Sequence, residues 1–366
     1  MKYLISGGGT GGHIFPAVSI ANALKEADPE AQILFVGALG RMEMQRVPEA
    51  GYKIVGLPIR GFDRKHLLRN ISVLYDLCRS LRQARRIVRD FAPDVAVGVG
   101  GYASGAAMKV AARMGIPVLL QEQNGFAGVT NKLLKNDASV ICVAYEGMEK
   151  FFPKEKIILT GNPVRQNLLR ASDPPADSGN EQGNKTKTLL IIGGSLGART
   201  INEAIAAHLS QLRDAGIRVI WQTGKIYFDK CKAAAEPYAG EWLQCTDFLT
   251  DMPSAYANAD LVISRAGASS ISEICLLGTP AILVPSPNVA EDHQTHNAMA
   301  LVRKDAAVLV KDADASASLV STALELIRDT ERLNTLHTNV LTLAQPDSAR
   351  RIAEQVIRLG NMHKEK

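Results

Sequence analysis

At 366 residues the chain is long enough for two domains that each bury a core. Its 46% apolar and 22% charged composition excludes a disordered or fibrous protein, and a net charge of +5 is too small to define a partner. Five scattered cysteines without CxxC spacing exclude a disulfide frame or a zinc ribbon and point to reduced thiols in a cytoplasmic protein.

Met1-Lys2 leads straight into an apolar strand with no signal-peptide h-region. The uncharged stretch Val95 to Met108 is Gly-rich and too short to span a bilayer, so a soluble or peripheral protein is expected. That first strand, at 2–6, breaks into Gly7-Gly-Gly-Thr-Gly-Gly-His13 and reopens as a helix over Pro16 to Lys25. A strand–glycine–helix turn aims backbone N–H groups and the positive helix end at one point, which predicts a phosphate or pyrophosphate there. Further strands are predicted at 31–36, 52–57, 94–99, 116–121, 139–143 and 157–160, a rhythm that implies a parallel, doubly wound α/β sheet. Leu67 to Val88 is the longest helical pattern, with Leu67, Ile71, Leu74, Cys78, Leu81 and Val88 on one face. Arg79, Arg82, Arg85, Arg86 and Arg89 occupy much of the rest.

Residues 172–187 are rich in Pro, Gly and polar side chains and read as a linker. The rhythm then restarts, with strands near 188–192, 217–221, 242–245, 260–264, 280–284 and 306–310 and a last helix over Ser348 to Leu359. Gly193-Gly-Ser-Leu-Gly-Ala198 and Ser264-Arg-Ala-Gly-Ala-Ser-Ser-Ile-Ser-Glu273 are two more strand–glycine–helix elements. Two doubly wound domains of this kind are expected to face each other across a crevice at the carboxyl ends of their strands.

Charge is unevenly placed. Between Arg60 and Asp90 nine Lys/Arg stand against three Asp. With Leu67, Leu68, Val73, Leu74 and Leu77 interleaved, this window reads as an interfacial helix for an anionic membrane. A solvated charged face is the plainer reading. Nucleic-acid binding has no accompanying motif or aromatic platform.

The candidate chemistry lies in the loops after strands. His13 can accept a proton or simply bond the loop backbone. Glu273, placed in a first helical turn, can take a ribose diol or compensate the helix dipole. Tyr102, Glu122 and Asn124 follow strands of the first half. Asp292-His-Gln-Thr-His296 brings donors together but lacks the third ligand of a metal site. Gly7 to Gly12 satisfies GxGxxG, yet Leu34-Phe-Val-Gly-Ala-Leu39 offers no acid for the ribose of a dinucleotide, which weighs against a dehydrogenase.

Together GGGTGGHIFPA, GVGGYASG, EQNGFAGVTNK, GNPVR, GGSLGAR, TDFLTDM and SRAGASSISE, in this order and over nearly the whole chain, resemble the MurG family of peptidoglycan N-acetylglucosaminyltransferases, within glycosyltransferase family 28. The resemblance implies a GT-B fold with Rossmann-like domains over 1–163 and 164–345, and a C-terminal helix, 346–362, returning to the first. It implies an inverting transfer of N-acetylglucosamine from UDP-N-acetylglucosamine to the C4 hydroxyl of undecaprenyl-diphospho-muramoylpentapeptide, converting lipid I to lipid II in peptidoglycan synthesis. It implies no cofactor and no required metal, and peripheral attachment to the cytoplasmic face of the inner membrane. It also implies cell-wall synthesis and division proteins as partners, and no nucleic acid. Carried over by residue, Thr10, Gly11, Gly12, Asn124, Arg165, Ser195, Leu249, Ala268, Ser269, Ser270, Ile271, Ser272, Glu273 and Gln294 would meet UDP-N-acetylglucosamine. Of these, Glu273 would hold the ribose diol and Leu249 would offer main chain to uracil. Where the family pattern has Gln-Gln this chain has Gln294-Thr295, so only Gln294 is carried over. His13, Tyr102 and Glu122 would face the acceptor, His13 as general base. Leu74, Arg82, Arg85 and Arg86 would contact the membrane. Another GT-B enzyme, acting on a glycolipid or as a UDP-N-acetylglucosamine epimerase, would share the donor loops but not the acceptor motifs.

Overall fold

The computed structural model describes residues 1–61, 70–164, 186–194 and 196–365. Nearly all of the expected linker, with Leu67, Leu68, Arg165 and Ser195, lies outside them. The chain divides into two compact units: Met1–Arg165 with Asp347–Lys366, and Gln166–Pro346.

The first unit carries a seven-stranded parallel sheet in the order β3-β2-β1-β4-β5-β6-β7. Its strands are β1 (Lys2–Gly7), β2 (Gln32–Ala38), β3 (Lys53–Leu57), β4 (Val95–Gly100), β5 (Val118–Glu122), β6 (Val140–Val143) and β7 (Ile157–Leu159). Its helices are α1 (Gly11–Ala27), α2 (Glu43–Glu49), α3 (Asn70–Phe91), α4 (Tyr102–Arg113) and α5 (Val129–Leu134). The second unit has a six-stranded parallel sheet in the order β10-β9-β8-β11-β12-β13. These strands are β8 (Thr188–Ile192), β9 (Arg218–Gln222), β10 (Leu243–Thr246), β11 (Leu261–Ser264), β12 (Ala281–Leu283) and β13 (Val308–Leu309). Its helices are α6 (Arg199–Ala207), α7 (Leu209–Asp214), α8 (Phe228–Ala235), α9 (Met252–Ala257), α10 (Ala268–Leu277), α11 (His293–Val302), α12 (Ala315–Arg328) and α13 (Thr330–Leu341). Helix α14 (Ser348–Lys364) belongs to the first unit.

Strands such as VAVGVG and TLLII are buried on both faces, as helices on either side of a parallel sheet require. In the first unit one face packs Leu4, Ala96, Leu120 and Ile141 under α3 to α5. The other packs Tyr3, Ile5, Val97 and Leu119 under α1 and α14. Ile352, Val356 and Leu359 of α14 complete that second core, and Arg351 donates to Leu159 O at 2.7 Å. Gly360 packs closely there, against the side chains of Met1 and Val95. In each unit the strand order reverses between the first strand and its neighbour, β1/β4 and β8/β11. A doubly wound sheet opens its ligand crevice at that switch point. The register of β1 against β4 slips after Ser6, so that Gly7 pairs with Gly100.

Burial decides thiol reactivity. Desolvation pushes the Cys142 and Cys275 thiols up to about 12 and those of Cys231 and Cys245 up to about 11, while Cys78 is exposed on α3. Native protein treated with Ellman's reagent at neutral pH is expected to lose the Cys78 thiol quickly and the others only on unfolding. Rapid labelling of a Cys78→Ser variant would show that the cores open.

Candidate active site

At the switch point of the first unit two glycine loops interlock. Gly8 N donates to Gly100 O at 3.3 Å, and His13 Nδ1 lies 3.0 Å from Gly8 O and 3.3 Å from Thr10 Oγ1. Gly100 and Gly101 have φ of +98° and +94°. A Cβ on Gly100 would collide with the His13 ring, and one on Gly101 with the Gly8 carbonyl. A carbonyl only accepts, so in neutral imidazole the proton sits on Nδ1 and the lone pair on Nε2. The half-buried His13 ring held in this way carries its lone pair at Nε2.

The reading of this loop as a phosphate cradle needs correction. Gly9 N–H donates to Glu43 Oε2 at 2.9 Å, and Ala38 N–H to Glu43 Oε1 at 3.0 Å. Glu43 is 1% exposed and fills the space a Cβ on Gly8 would need. A carboxylate of the chain already sits where the first half of the loop was expected to hold a ligand's charge. The orphan donors of the α1 start, Gly11 N–H and Gly12 N–H behind Thr10, remain as its anion-facing part. Sequence reasoning missed Glu43, which comes from α2 rather than from the end of β2.

Glu122 also differs from expectation. Expected to face an acceptor, it is 1% exposed and accepts from Asn124 N at 3.1 Å, Gly128 N at 2.9 Å and Asn131 Nδ2 at 2.9 Å. Asn124 Nδ2 lies 3.4 Å from the same carboxylate. A buried carboxylate so occupied orders the 124–131 loop. Beneath it, Gln121 Nε2 donates to Asn162 Oδ1 at 2.9 Å and Asn162 Nδ2 to Gln123 O at 2.9 Å, a buried amide network invisible in the sequence. Tyr102, at the start of α4, is exposed, and its ring lies against Gly61.

The second unit repeats the construction. Gly197 and Gly224, at φ of +82° and +78°, approach so closely that a Cβ on either would strike the other's loop. Helix α10 starts at Ala268 behind Gly267 with no side-chain cap, which leaves its first N–H groups as donors. Ala268 and Ile271 are buried and Ser272 Oγ donates to Ala268 O at 2.9 Å, so the half-buried Ser269 and Ser270 carry the hydroxyls nearest the helix start. Glu273 stands beyond the first turn, which holds no acid. The dipole-compensation reading of Glu273 is therefore corrected. Its carboxylate is 6% exposed and accepts from Tyr256 OH at 3.3 Å, a partner the sequence did not reveal. The Leu249 side chain is buried, which leaves its main chain for a ligand. Gln294 Oε1 accepts from Ser286 N at 2.9 Å, and Thr295 Oγ1 donates to Asp292 Oδ1 at 2.7 Å. Among the described residues no group of three or more His, Cys, Asp or Glu is arranged to hold a metal ion.

On α3, Arg82, Arg85 and Arg86 are exposed beside Leu74, 52% exposed, and Tyr75, 68% exposed. Val73, expected among the interfacial apolar residues, is instead 7% exposed, and Leu77 packs against the core. The helix must bury one stripe on its own sheet, and these residues belong to it.

The N-terminal domain model of glycosyltransferase family 28 matches residues 3–143, and the C-terminal domain model matches residues 188–356. A relative from Bacteroides fragilis is 62% identical over 98% of this chain and 96% of its own length. One from Parabacteroides distasonis is 58% identical over 98% of both. Both are named UDP-N-acetylglucosamine--N-acetylmuramyl-(pentapeptide) pyrophosphoryl-undecaprenol N-acetylglucosamine transferase. The crystal structure of Acinetobacter baumannii MurG is similar with a TM-score of 0.80 at 27% identity, over 98% of this chain and 100% of that one. A UDP-N-acetylglucosamine 2-epimerase from Neisseria meningitidis bound to UDP-N-acetylglucosamine gives 0.65 at 16% identity, over 98% and 100% of the chains, a likeness of fold alone.

The Glu122 bonds predict a specific stability effect. Glu122→Ala leaves buried donors unmet and is expected to cost about 3 kcal/mol by urea denaturation. Tyr102→Phe, on an exposed ring, is expected to change stability by less than about 0.5 kcal/mol. A neutral Glu122→Ala would mean the carboxylate does not order its loop.

Proposed function

The chain belongs to glycosyltransferase family 28, and we propose that it transfers N-acetylglucosamine from UDP-N-acetylglucosamine to the C4 hydroxyl of undecaprenyl-diphospho-muramoylpentapeptide, lipid I, giving the β-linked disaccharide lipid II of peptidoglycan synthesis. The single observation that carries the chemistry is the His13 imidazole held by Gly8 O at the switch point of the first unit. The acceptor oxygen attacks the anomeric carbon and the bond from that carbon to the diphosphate oxygen breaks. The hydroxyl proton passes to His13 Nε2 and the electron pair leaves with UDP. A base of this kind contributes roughly 10²- to 10⁴-fold.

The leaving diphosphate gains charge as the bond breaks, and preorganised donors there lower the barrier. The uncapped start of α10, with Ser269 and Ser270, supports that role, and Arg165 and Ser195 join it by resemblance. By the family resemblance Glu273 takes the ribose diol and Gln294 a sugar hydroxyl, Thr10, Gly11, Gly12 and Asn124 are donor contacts, and Tyr102 is an acceptor contact. Because helix ends and arginine supply the positive potential, turnover requires no metal.

The acceptor is a lipid, so the enzyme works at a membrane surface. Among the described residues no helix is long and apolar enough to cross a membrane. The arginines of α3, with Leu74 and Tyr75 out among them, suit peripheral attachment to an anionic inner leaflet. Each basic residue near such a surface contributes about 1 kcal/mol.

Release of UDP from UDP-N-acetylglucosamine is expected to depend on a short-chain lipid I analogue and to persist in EDTA. His13→Ala is expected to lower kcat about 100-fold or more. Release without acceptor would indicate an epimerase or hydrolase, and loss in EDTA would overturn metal independence. In flotation with anionic liposomes, replacing Arg82, Arg85 and Arg86 with Glu should reduce binding at low salt. Equal binding at low and high salt would remove α3 as the membrane contact.

A further inference from the structure

Glu43 has no part in the mechanism above, yet it lies beneath the loop on which that mechanism depends. Its carboxylate threads between two glycines, in the room a Cβ on Gly8 or Gly37 would take. One oxygen receives Gly9 N–H from the loop after β1, the other Ala38 N–H from the end of β2. Neighbouring strands are thus tied by one buried anion at their carboxyl ends. The peptide group between Gly8 and Gly9 carries both consequences. Its N–H is held by Glu43, so its carbonyl, on the opposite side of the planar unit, is aimed at His13 Nδ1.

We propose that Glu43 is a positioning residue for His13: by holding the Gly8–Gly9 peptide it presents the Gly8 carbonyl to Nδ1 and thereby fixes the Nε2 lone pair as the base. The proposal rests on the reading of His13 as the general base. Without the carboxylate the peptide is free to rotate, the carbonyl leaves Nδ1, and both imidazole tautomers become populated. A neutral amide cannot substitute, because the second N–H would meet an NH2 group that only donates. The glycine at position 8 is then explained by the chain's own carboxylate rather than by a ligand's phosphate.

The test is Glu43→Gln in the full chain, with two readouts. Long-range 1H–15N spectra of the imidazoles, with His13 assigned by a His13→Gln variant, are expected to show the Nδ1–H tautomer in the native protein. In Glu43→Gln they should show a mixture or the Nε2–H form. Steady-state rates should show kcat down at least tenfold, KM for UDP-N-acetylglucosamine within twofold, and less than twofold further loss when Glu43→Gln is added to His13→Ala. An unchanged His13 tautomer, with activity falling only as the folded fraction falls, would make Glu43 a purely structural acid and overturn the proposal. If Glu43→Gln does not fold, Glu43→Asp keeps the charge but withdraws it by one methylene, and the same readouts apply. Failure of the native protein to turn over lipid I would instead count against the transferase reading, and the tautomer spectra would still decide the role of Glu43.

Discussion

The position that constrains the first unit most is Gly8. Its N–H goes to Gly100 O and its carbonyl to His13 Nδ1. The volume of its missing side chain is taken by the Glu43 carboxylate, and Gly101 presses on its carbonyl from the other side. Any side chain at position 8 would break these contacts together. The glycines at 37, 100 and 101 follow from the same crowding, since each clears a neighbour's approach rather than making a flexible hinge. What reads as a generic glycine-rich loop is one packed joint between β1, β2 and β4, with the His13 ring packed against it.

The second unit solves a similar crowding problem to a different electrostatic end. Gly197 and Gly224 let two loops touch, and Gln222 Nε2 bonds Gly194 O at 3.1 Å. The first turn of α10 contains no acid of its own. Arg265, the one charged side chain of the SRAG turn, spends its guanidinium on Val284 O, Pro285 O and Asp312, and Asp312 also receives Thr200 Oγ1 at 3.0 Å. That ion pair fixes the walls around the helix start without adding an anion to it.

Much of this was legible in the sequence, because strand rhythm and glycine placement obey short-range rules. The segments expected at 2–6, 94–99 and 188–192 appear as Lys2–Gly7, Val95–Gly100 and Thr188–Ile192, since buried parallel strands must be continuous apolar runs. The last helix, read from its pattern to Leu359 and from the family resemblance to 362, runs to Lys364, five residues past its last large buried side chain. What stayed hidden is the partnership of polar groups distant in sequence. Glu43 opens a short helix and reads as a surface acid, yet it bonds a residue 34 positions away. Tyr256 reaches Glu273 across 17 positions and Gln121 reaches Asn162 across 41. Glu122 was singled out, but a motif tells that a carboxylate matters, not whether it faces a ligand or the chain. Val73 was misjudged because a helix with arginines on several sides does not declare which apolar residues its sheet will claim.

The contrast between the units supports a division of labour that neither glycine motif reveals alone. A bound anion is favoured where backbone donors are unspent and disfavoured where a buried carboxylate already stands. In the first unit Gly8 N–H and Gly9 N–H are spent, the second of them on the buried Glu43 carboxylate. A loop so occupied offers little to a further anion. In the second unit the α10 start keeps its donors and has no acid in its first turn, which suits the charge that grows on a leaving diphosphate. The two halves of an inverting transfer, proton removal and stabilisation of the departing anion, demand opposite local potentials.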